Sequence, residues 1–225
     1  AASCRLVICA KTGACGTMGY PETDFEAAGD HPQTRDQRGA TRYTSLIRSA
    51  KLICGSGEFV CVIRDVSATG ISLRTFHRLP SGDRMALELP NGEGFELQKV
   101  RSEGREGSFT FLNPVPVETL IRETTNYPKR QLRLNIEIPV EVACLTGRGQ
   151  AITRNLSQQG ACLDCDMPLA IAQTVKLTGS ELPEIRAKVR WRRAPEYGLA
   201  FDTTFSLADF ARMAASIQSP VLLSE

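Results

Sequence analysis

Two arginines followed by a short polar turn segment are the residues of this sequence best suited to hold a ligand. They are Arg38, Arg42, Asp65, Ser67 and Gly70, in the patterns Arg-x-x-x-Arg and Asp-x-Ser-x-x-Gly. A guanidinium can donate two hydrogen bonds to guanine O6 and N7, stack on a base, or pair with phosphate. A carboxylate can accept from the N–H edge of guanine, a hydroxyl can bond base or phosphate, and glycine permits close approach. The set suits a guanine dinucleotide, while Asp-x-Ser-x-x-Gly taken alone is also a common turn in which Asp and Ser bond their own backbone.

The same pattern returns about 90 residues later. Its members are Lys129, Arg130, Arg133, Asn155, Ser157 and Gly160. Lys129 stands where the first copy has Arg38, and lysine keeps the charge but loses the planar fork of donors. We therefore expect a second possible site that binds more weakly than the first, unless the adjacent Arg130 serves in place of the missing arginine.

The repetition extends beyond these motifs, which indicates a duplicated domain. Lys99-Val100-Arg101 aligns with Lys188-Val189-Arg190, and the segment 108–111 aligns with 198–201. The predicted organisation is a flexible N-terminal arm, a first domain, a linker and a second domain, over residues 1–36, 37–121, 122–128 and 129–225.

Each copy is predicted to be mostly β-structure. Short runs of alternating apolar and polar residues are separated by turn signals such as Gly55-Ser56-Gly57 and Asn91-Gly92. Such spacing favours a small barrel. Each copy then ends in an amphipathic stretch with the spacing of a short helix, its apolar residues being Val117, Leu120, Ile121 and Leu207, Phe210, Ala211, Ala214.

Catalytic and metal chemistry have little support in the sequence. There is no Ser/His/Asp set, phosphate-binding loop or dinucleotide-binding glycine pattern. Of eight cysteines only Cys162 and Cys165 form a C-x-x-C pair, and neither His31 nor His77 completes a zinc pattern. We expect free thiols in a reducing compartment, His77 as an ordinary loop residue, no metal, no cofactor and no enzymatic activity.

The net charge and the hydropathy of the sequence limit the classes of molecule that the protein is expected to bind. A net charge of +2 does not favour nucleic-acid binding, and no apolar run is long enough to insert into a membrane. We expect a cytoplasmic protein. Strict alternation over 185–192 predicts a strand that buries Ile185, Ala187, Val189 and Trp191 and exposes four cations. Those cations could form a solvated face, meet acidic proteins, assist ligand phosphates or line a nucleic-acid groove.

Together these features resemble the PilZ family of cyclic di-GMP receptors. The first copy has every position of the family signature, and the second has all but the first arginine. The resemblance implies an all-β protein of two tandem six-stranded β-barrels, each followed by a short helix. It also implies an effector that binds cyclic di-GMP unchanged and signals through an unidentified protein target or inter-domain rearrangement. The alternatives are a small-barrel nucleic-acid-binding protein and a structural adaptor with vestigial PilZ motifs.

Overall fold

The computed structural model describes residues 43–121 and 131–224. The predicted arm and linker lie outside these residues, as do Arg38, Arg42, Lys129 and Arg130. The domain boundaries therefore stay predictions. Within the described ranges, no helix is long and apolar enough to cross a membrane.

The first copy forms a closed antiparallel barrel with the strand order β1-β2-β3-β6-β5-β4, in which β4 pairs back onto β1. Its elements are β1 Tyr43–Cys54, β2 Gly57–Val66, β3 Gly70–Thr75, β4 Arg84–Glu88, β5 Gly94–Glu103, β6 Glu106–Phe111 and helix α1 Val117–Ile121. Because successive side chains of a strand face opposite sides, Ile71 and Leu73 of β3 are both buried in the barrel. Leu120 of α1 packs into the same core.

The second copy repeats this topology. Its elements are β7 Arg133–Leu134, β8 Pro139–Cys144, β9 Gly147–Ser157, β10 Gly160–Cys165, β11 Thr174–Thr178, β12 Ile185–Arg193, β13 Glu196–Phe201, helix α2 Leu207–Gln218 and a 3-10 turn Pro220–Leu223. The ring β8-β9-β10-β13-β12-β11 closes as in the first barrel, and β7 pairs with β9 as an additional strand. The prediction of two tandem six-stranded barrels with following helices is confirmed.

Helix α2 starts where the sequence supplies a cap. The Ser206 hydroxyl accepts a hydrogen bond from the Asp209 N–H at 3.1 Å, and this satisfies a backbone group that the first turn leaves without a partner. The predicted apolar stripe then buries Phe210, Ala211 and Ala214 completely. These side chains join the core of the second barrel, so α2 is an integral part of it.

The two barrels are in direct contact, within a single compact unit that spans residues 39–225. The Glu58 carboxylate of β2 accepts from the Asn135 backbone N–H at 2.7 Å and from its side-chain amide at 2.9 Å. It also pairs with Lys51 at 3.2 Å, and Lys51, only 4% exposed, reaches Glu88 at 3.1 Å. An apolar contact between Phe59 and the C-terminal elements completes this junction.

The strand pairing shows that one part of the repeat was aligned one residue out of register in the sequence. Gly70 pairs with Thr110 as Gly160 pairs with Ala200, so the two copies correspond at an offset of 90. The pairing with β6 and β13 skips Val100 and Arg190, which therefore correspond to each other, and Arg101 then corresponds to Trp191. The sequence alignment of segment 99–101 with 188–190 is therefore wrong by one residue, because two similar basic-apolar-basic runs match in the wrong register.

Candidate functional site

The acidic or amide position of each motif follows an irregularity in its strand. In β2, Ile63 pairs with Leu73 and Asp65 with Ser72, so Arg64 is an extra residue without a cross-strand partner. A β-bulge of this kind turns two successive side chains to the same side of a sheet. Arg64 is exposed and Asp65 half-buried, while the residues before and after them are buried.

The second barrel has the same bulge at the same place. Asn155 pairs with Cys162, and Thr153 with Leu163, which leaves Arg154 as the extra residue. Arg154 is exposed and forms ion pairs with Glu137 and Asp164, whereas Asn155 stays half-buried. Both bulges thus present the motif's hydrogen-bonding side chain at the outer surface of a barrel.

The serine of the second motif holds the tight turn between β9 and β10. Its Oγ accepts from the Gly160 N–H at 3.1 Å and from the Gln159 N–H at 3.4 Å, and it donates to the Gly160 carbonyl at 3.1 Å. These bonds use the donor and both lone pairs of the hydroxyl. Ser157 is only 7% exposed, so in this structure it shapes the turn.

The first motif has the same turn between β2 and β3. Ser67 Oγ accepts from the Gly70 N–H at 3.1 Å and donates to its carbonyl at 3.3 Å. The backbone N–H of Ser67 donates to the same carbonyl at 2.8 Å. The sequence left both a ligand role and a turn role open for this serine, and in the structure its hydroxyl holds the turn that ends at Gly70.

The two motif glycines allow neighbouring strands to approach closely. A Cβ at Gly160 would collide with the Leu199 backbone carbonyl, and one at Gly70 would be 3.2 Å from the Phe109 carbonyl. The first contact involves backbone on both sides and cannot be relieved by a side-chain movement. Glycine at position 160 is therefore required by the packing of β10 on β13.

The four described residues of the second motif meet in one cleft. Arg133, Asn155, Ser157 and Gly160 all line a depression of about 380 Å³ on the outer face of the second barrel. Arg133 of β7 lies opposite Ser157 in the strand pairing, which explains why the additional strand belongs to the site. A volume of about 300–1,000 Å³ is usual for small-molecule sites.

Trp191 forms a further wall of this cleft, contrary to the prediction that it is buried. It is 42% exposed, whereas Ile185, Ala187 and Val189 of the same strand are buried as predicted. The pairing of β12 with β13 skips Arg190, so a second bulge turns both Arg190 and Trp191 outward.

The indole of Trp191 lies directly over Gly198 of β13. A Cβ at Gly198 would collide with indole atoms, Nε1 being the nearest. The absence of a side chain at position 198 therefore leaves the space that the indole occupies against the neighbouring strand. Both residues line the cleft, which gives it an aromatic surface on which a base can stack.

The cleft is basic and contains an unreactive thiol. Arg133 and Arg190 are exposed, and neither forms an ion pair with another described residue. Burial raises the pKa of the Cys162 thiol, and the nearby charges of Glu196 and Asp164 raise it further. Cys162 therefore remains protonated at neutral pH and is a poor nucleophile.

The corresponding surface of the first barrel has different side chains. Arg101 and Ser108 take the places of Trp191 and Gly198, and Arg101 Nε donates to Ser108 Oγ at 3.5 Å. Asp65 takes the place of Asn155, with two carboxylate oxygens in place of one amide oxygen. The two barrels thus present related but chemically distinct surfaces.

Sequence reasoning missed the cleft residues Gln131, Arg190, Trp191 and Gly198 as a group. A tryptophan and a glycine on neighbouring strands, Trp191 and Gly198, could have indicated the cleft. Strict alternation along the strand instead predicts that the tryptophan is buried in the barrel core. Among the described residues no cluster of His, Cys, Asp or Glu could hold a metal ion. The described cysteines are all free thiols, namely Cys54, Cys61, Cys144, Cys162 and Cys165.

The architecture and the repeated motif define a protein of two tandem antiparallel barrels with a ligand-binding surface at corresponding places. The PilZ domain family matches the sequence twice, over residues 34–121 and 128–219. The chain belongs to the PilZ domain family.

Several solved structures are similar to this chain at low sequence identity. PlzA of Borreliella burgdorferi, solved in complex with c-di-GMP, is 12% identical, with 78% of this chain and 88% of that chain covered and a TM-score of 0.31. Apo MrkH of K. pneumoniae is 14% identical, with 77% of this chain and 87% of that chain covered and a TM-score of 0.30. The Bacillus subtilis inhibitor of motility MotI is 13% identical, with 78% of this chain and 94% of that chain covered and a TM-score of 0.30. No curated protein matches the sequence.

Proposed function

We propose that this protein is a receptor for cyclic di-GMP which binds the dinucleotide at the motif of each barrel without altering it. The observation that carries the proposal is the cleft of the second barrel. It brings Arg133, Asn155 and Gly160 together with Arg190 and Trp191 on one open surface. Membership of the PilZ family supports the same ligand, since the first copy carries the whole family signature and the second carries all of it but the first arginine.

Each cleft residue suits one part of a guanine dinucleotide. Arg133 and Arg190 supply the charge and the paired donors that recognise phosphate or the O6/N7 edge of guanine. The Asn155 side-chain oxygen can accept from the N1–H or N2–H group of the base. Trp191 offers a flat face for stacking, a contact worth about 1–3 kcal/mol per base.

The first barrel is proposed to use Arg38, Arg42, Asp65, Ser67 and Gly70. Here Asp65 is half-buried in β2 opposite Ser72, and the Ser67 hydroxyl holds the turn that leads to Gly70. A carboxylate can accept both N–H groups of a guanine edge, which an amide oxygen does less well because it carries no charge. This difference favours the first site for base recognition, whereas the second has the aromatic surface.

Binding is proposed to produce a signal through the junction of the two barrels. Arg133, at the second cleft, lines a neighbouring depression with Glu88 and Gln131, and Glu88 is held by the buried Lys51. Lys51 also holds Glu58, whose carboxylate contacts the second barrel at Asn135. A ligand that moves Arg133 therefore acts next to the ion pairs of Lys51, which hold the Glu58 carboxylate that contacts the second barrel. The output is passed to a protein partner in the cytoplasm.

Calorimetric titration of the full chain with cyclic di-GMP tests the proposal. Arg42→Ala and Arg133→Ala should each weaken one site by about 5- to 150-fold, the loss of a bidentate arginine–guanine contact of about 1–3 kcal/mol. Arg186→Ala is the matched control, because Arg186 is an exposed arginine of the second barrel outside the cleft. Unchanged affinity in an Arg42→Ala, Arg133→Ala double variant would overturn the proposal.

Single-stranded DNA and GTP are the comparison ligands. Arg186 and Lys188 are exposed on β12, and Trp191 supplies one exposed aromatic, so a nucleic-acid groove is the alternative that most needs a direct test. A nucleic-acid binder loses affinity steeply as salt rises because counterions are released on binding. A receptor should bind cyclic di-GMP in preference to both comparison ligands.

A further inference from the structure

Four side chains form a row across four neighbouring strands on the outer surface of the first barrel. Asp65 of β2 pairs with Ser72 of β3, Ser72 with Ser108 of β6, and Ser108 with Arg101 of β5. Because neighbouring strands lie about 4.8 Å apart, the row is about 14 Å long. Asp65 of the motif stands at one end, and Arg101 stands at the other.

The second barrel shows what a row in this place does. Its members are Asn155, Cys162, Gly198 and Trp191, which pair across the four corresponding strands. All four line the single cleft of about 380 Å³. In both rows, two small residues separate the hydrogen-bonding side chain of the motif from a large side chain at the opposite end. Arg101 therefore occupies the position of a residue that lines a cleft.

We propose that Arg101 is a further ligand-binding residue of the first site and that its guanidinium pairs with a phosphate of the bound dinucleotide. The inference rests on the proposed function, because it takes cyclic di-GMP as the ligand of the first barrel. Neither the Arg-x-x-x-Arg pattern nor the Asp-x-Ser-x-x-Gly pattern includes a residue of β5. Arg101 thus adds to the site a cation that the motifs do not contain.

A bulge in β5 turns Arg101 toward the outer surface. Lys99 pairs with Phe109 and Arg101 with Ser108, so Val100 is an extra residue without a cross-strand partner. A bulge of this kind turns two successive side chains to the same side of a sheet. In agreement with this, Val100 is 63% exposed and Arg101 is exposed beside it.

The two bulges carry the same two kinds of side chain in opposite order. In the second barrel the cation Arg190 precedes the apolar Trp191, whereas in the first barrel the apolar Val100 precedes the cation Arg101. Each site therefore keeps one cation and one apolar side chain at this end of its row. Because valine has no aromatic face on which a base can stack, we expect the first site to depend more strongly on its cation.

The guanidinium of Arg101 is available to an anion and lies over the row. It forms no ion pair with another described residue. Its Nε lies 3.5 Å from Ser108 Oγ, a weak contact that holds the side chain over β6. Since β6 lies between β5 and β3, this contact directs the guanidinium toward the end of the row that carries Asp65. Ser108 accepts in this contact, so it can donate its own hydroxyl proton to the same ligand.

Phosphate is the part of the dinucleotide that suits the Arg101 end of the row. The Asp65 carboxylate can accept from the N–H edge of a guanine, but it repels a phosphate because both are negatively charged. The favourable orientation therefore places the base near Asp65 and the phosphate near the cation. Arginine can hold a phosphate through two parallel N–H donors.

Calorimetric titration with cyclic di-GMP in an Arg133→Ala background, which isolates the first site, tests the proposal. Arg101→Gln should weaken binding about 10-fold or more, the value of one hydrogen bond between charged groups. Arg186→Gln is the matched control, because it removes one exposed charge from the second barrel outside the cleft, and it should leave the affinity unchanged. Equal affinities of the Arg101→Gln and Arg186→Gln variants would overturn the proposal.

Arg101→Lys distinguishes a phosphate contact from a contact with the guanine edge. Lysine keeps the charge that attracts phosphate but loses the planar fork of donors that fits guanine O6 and N7. The lysine variant should therefore bind more tightly than the glutamine variant. A lysine variant as weak as the glutamine variant would refute the assignment of Arg101 to phosphate.

The salt dependence of binding gives a second measurement of the same contact. A rise in ionic strength from about 0.1 M to about 1 M shortens the Debye length from about 10 Å to about 3 Å. This rise should weaken the protein that retains Arg101 more than the Arg101→Gln variant, because the variant has lost a charge–charge attraction. The same salt dependence in both would contradict the proposal.

Nuclear magnetic resonance of the arginine Nε–H groups provides a direct readout. Saturating cyclic di-GMP should shift the resonance of Arg101 and leave that of Arg186 in place, and an unshifted Arg101 resonance would overturn the assignment. Failure of the proposed function is distinguishable, because the protein would then bind no cyclic di-GMP. Binding that depends on Arg42 but not on Arg101 would refute only the role of Arg101.

Discussion

The side-chain amide of Gln218 pairs with the backbone of Glu58 as a neighbouring strand would. Its Oε1 accepts from the Glu58 N–H at 2.8 Å, and its Nε2 donates to the Glu58 carbonyl at 2.7 Å. Gln218 is the last residue of α2 in the second copy, and Glu58 belongs to β2 of the first. Gly57, with φ at 136°, leaves room for this amide, because a Cβ there would collide with it. One side chain thus satisfies two backbone groups across the barrel junction.

Replacement of Gln218 by alanine should destabilise the protein by about 1–3 kcal/mol, because both backbone groups of Glu58 lose a partner in a half-buried place. Chemical denaturation measures the change in the free energy of unfolding. Gln150→Ala, an exposed glutamine in β9, is the matched control and should change stability little. A Gln218→Ala variant as stable as the control would show that water replaces the amide at no cost.

Much of the fold could be predicted because periodicity and repetition are local signals. The alternation of β3 and β4 and the apolar residues Phe210, Ala211 and Ala214 give the observed burial, and the hairpin signals fall at observed turns. The barrel junction could not be predicted in the same way. Nothing in the local sequence around Gly57 indicates that a glutamine 161 residues further along the chain occupies the space beside it.

The candidate site was predicted in part, and the missing part has one physical cause. The motif marks the turn around Ser157 and Gly160, and the structure places both in the cleft. A β-bulge adds one residue and reverses the side to which all later residues point. Because alternation assumes an uninterrupted strand, it places Trp191 in the core, where the bulge at Arg190 turns it outward.

The position of Trp191 over Gly198 leads to a prediction about ligand affinity. In an Arg42→Ala background, which isolates the second site, Trp191→Ala should weaken cyclic di-GMP binding by about 5- to 150-fold, through loss of about 1–3 kcal/mol of base stacking. Gly198→Ala should have a similar effect, since its methyl group displaces the indole. Calorimetry measures both constants.

The two changes should be strongly non-additive, because each removes the same stacking surface. A Trp191→Ala, Gly198→Ala double variant should bind about as weakly as either single variant. Ile171→Ala, an exposed apolar residue outside the cleft, is the control for general surface effects. Additive losses would show that Gly198 acts on the ligand independently of the indole.

The lysine in the second motif should limit the affinity of that site. Lys129→Arg, in the same Arg42→Ala background, should strengthen cyclic di-GMP binding about fivefold or more, because arginine adds a bidentate contact worth about 1–3 kcal/mol. Lys176→Arg, at a lysine paired with Glu184 away from the cleft, is the control. No gain in Lys129→Arg, together with a loss in Arg130→Ala, would assign the role to Arg130.

Ligand binding should protect two chain segments from hydrogen exchange, namely residues 36–43 and 126–133. Both carry arginines or lysines of the motifs, and in the second segment Arg133 already lines the cleft opposite Ser157. A dianionic ligand held by these cations must fix the backbone that bears them, and that ordering offsets part of the contact energy. The second segment also joins the barrels, so its fixation acts on their junction.

Exchange measured with and without cyclic di-GMP, with strands 84–88 and 174–178 as internal references, should show slower exchange only in the two segments. Unchanged exchange in both, at a ligand concentration that saturates the protein, would mean that binding orders neither segment and that the signal leaves the protein by another route.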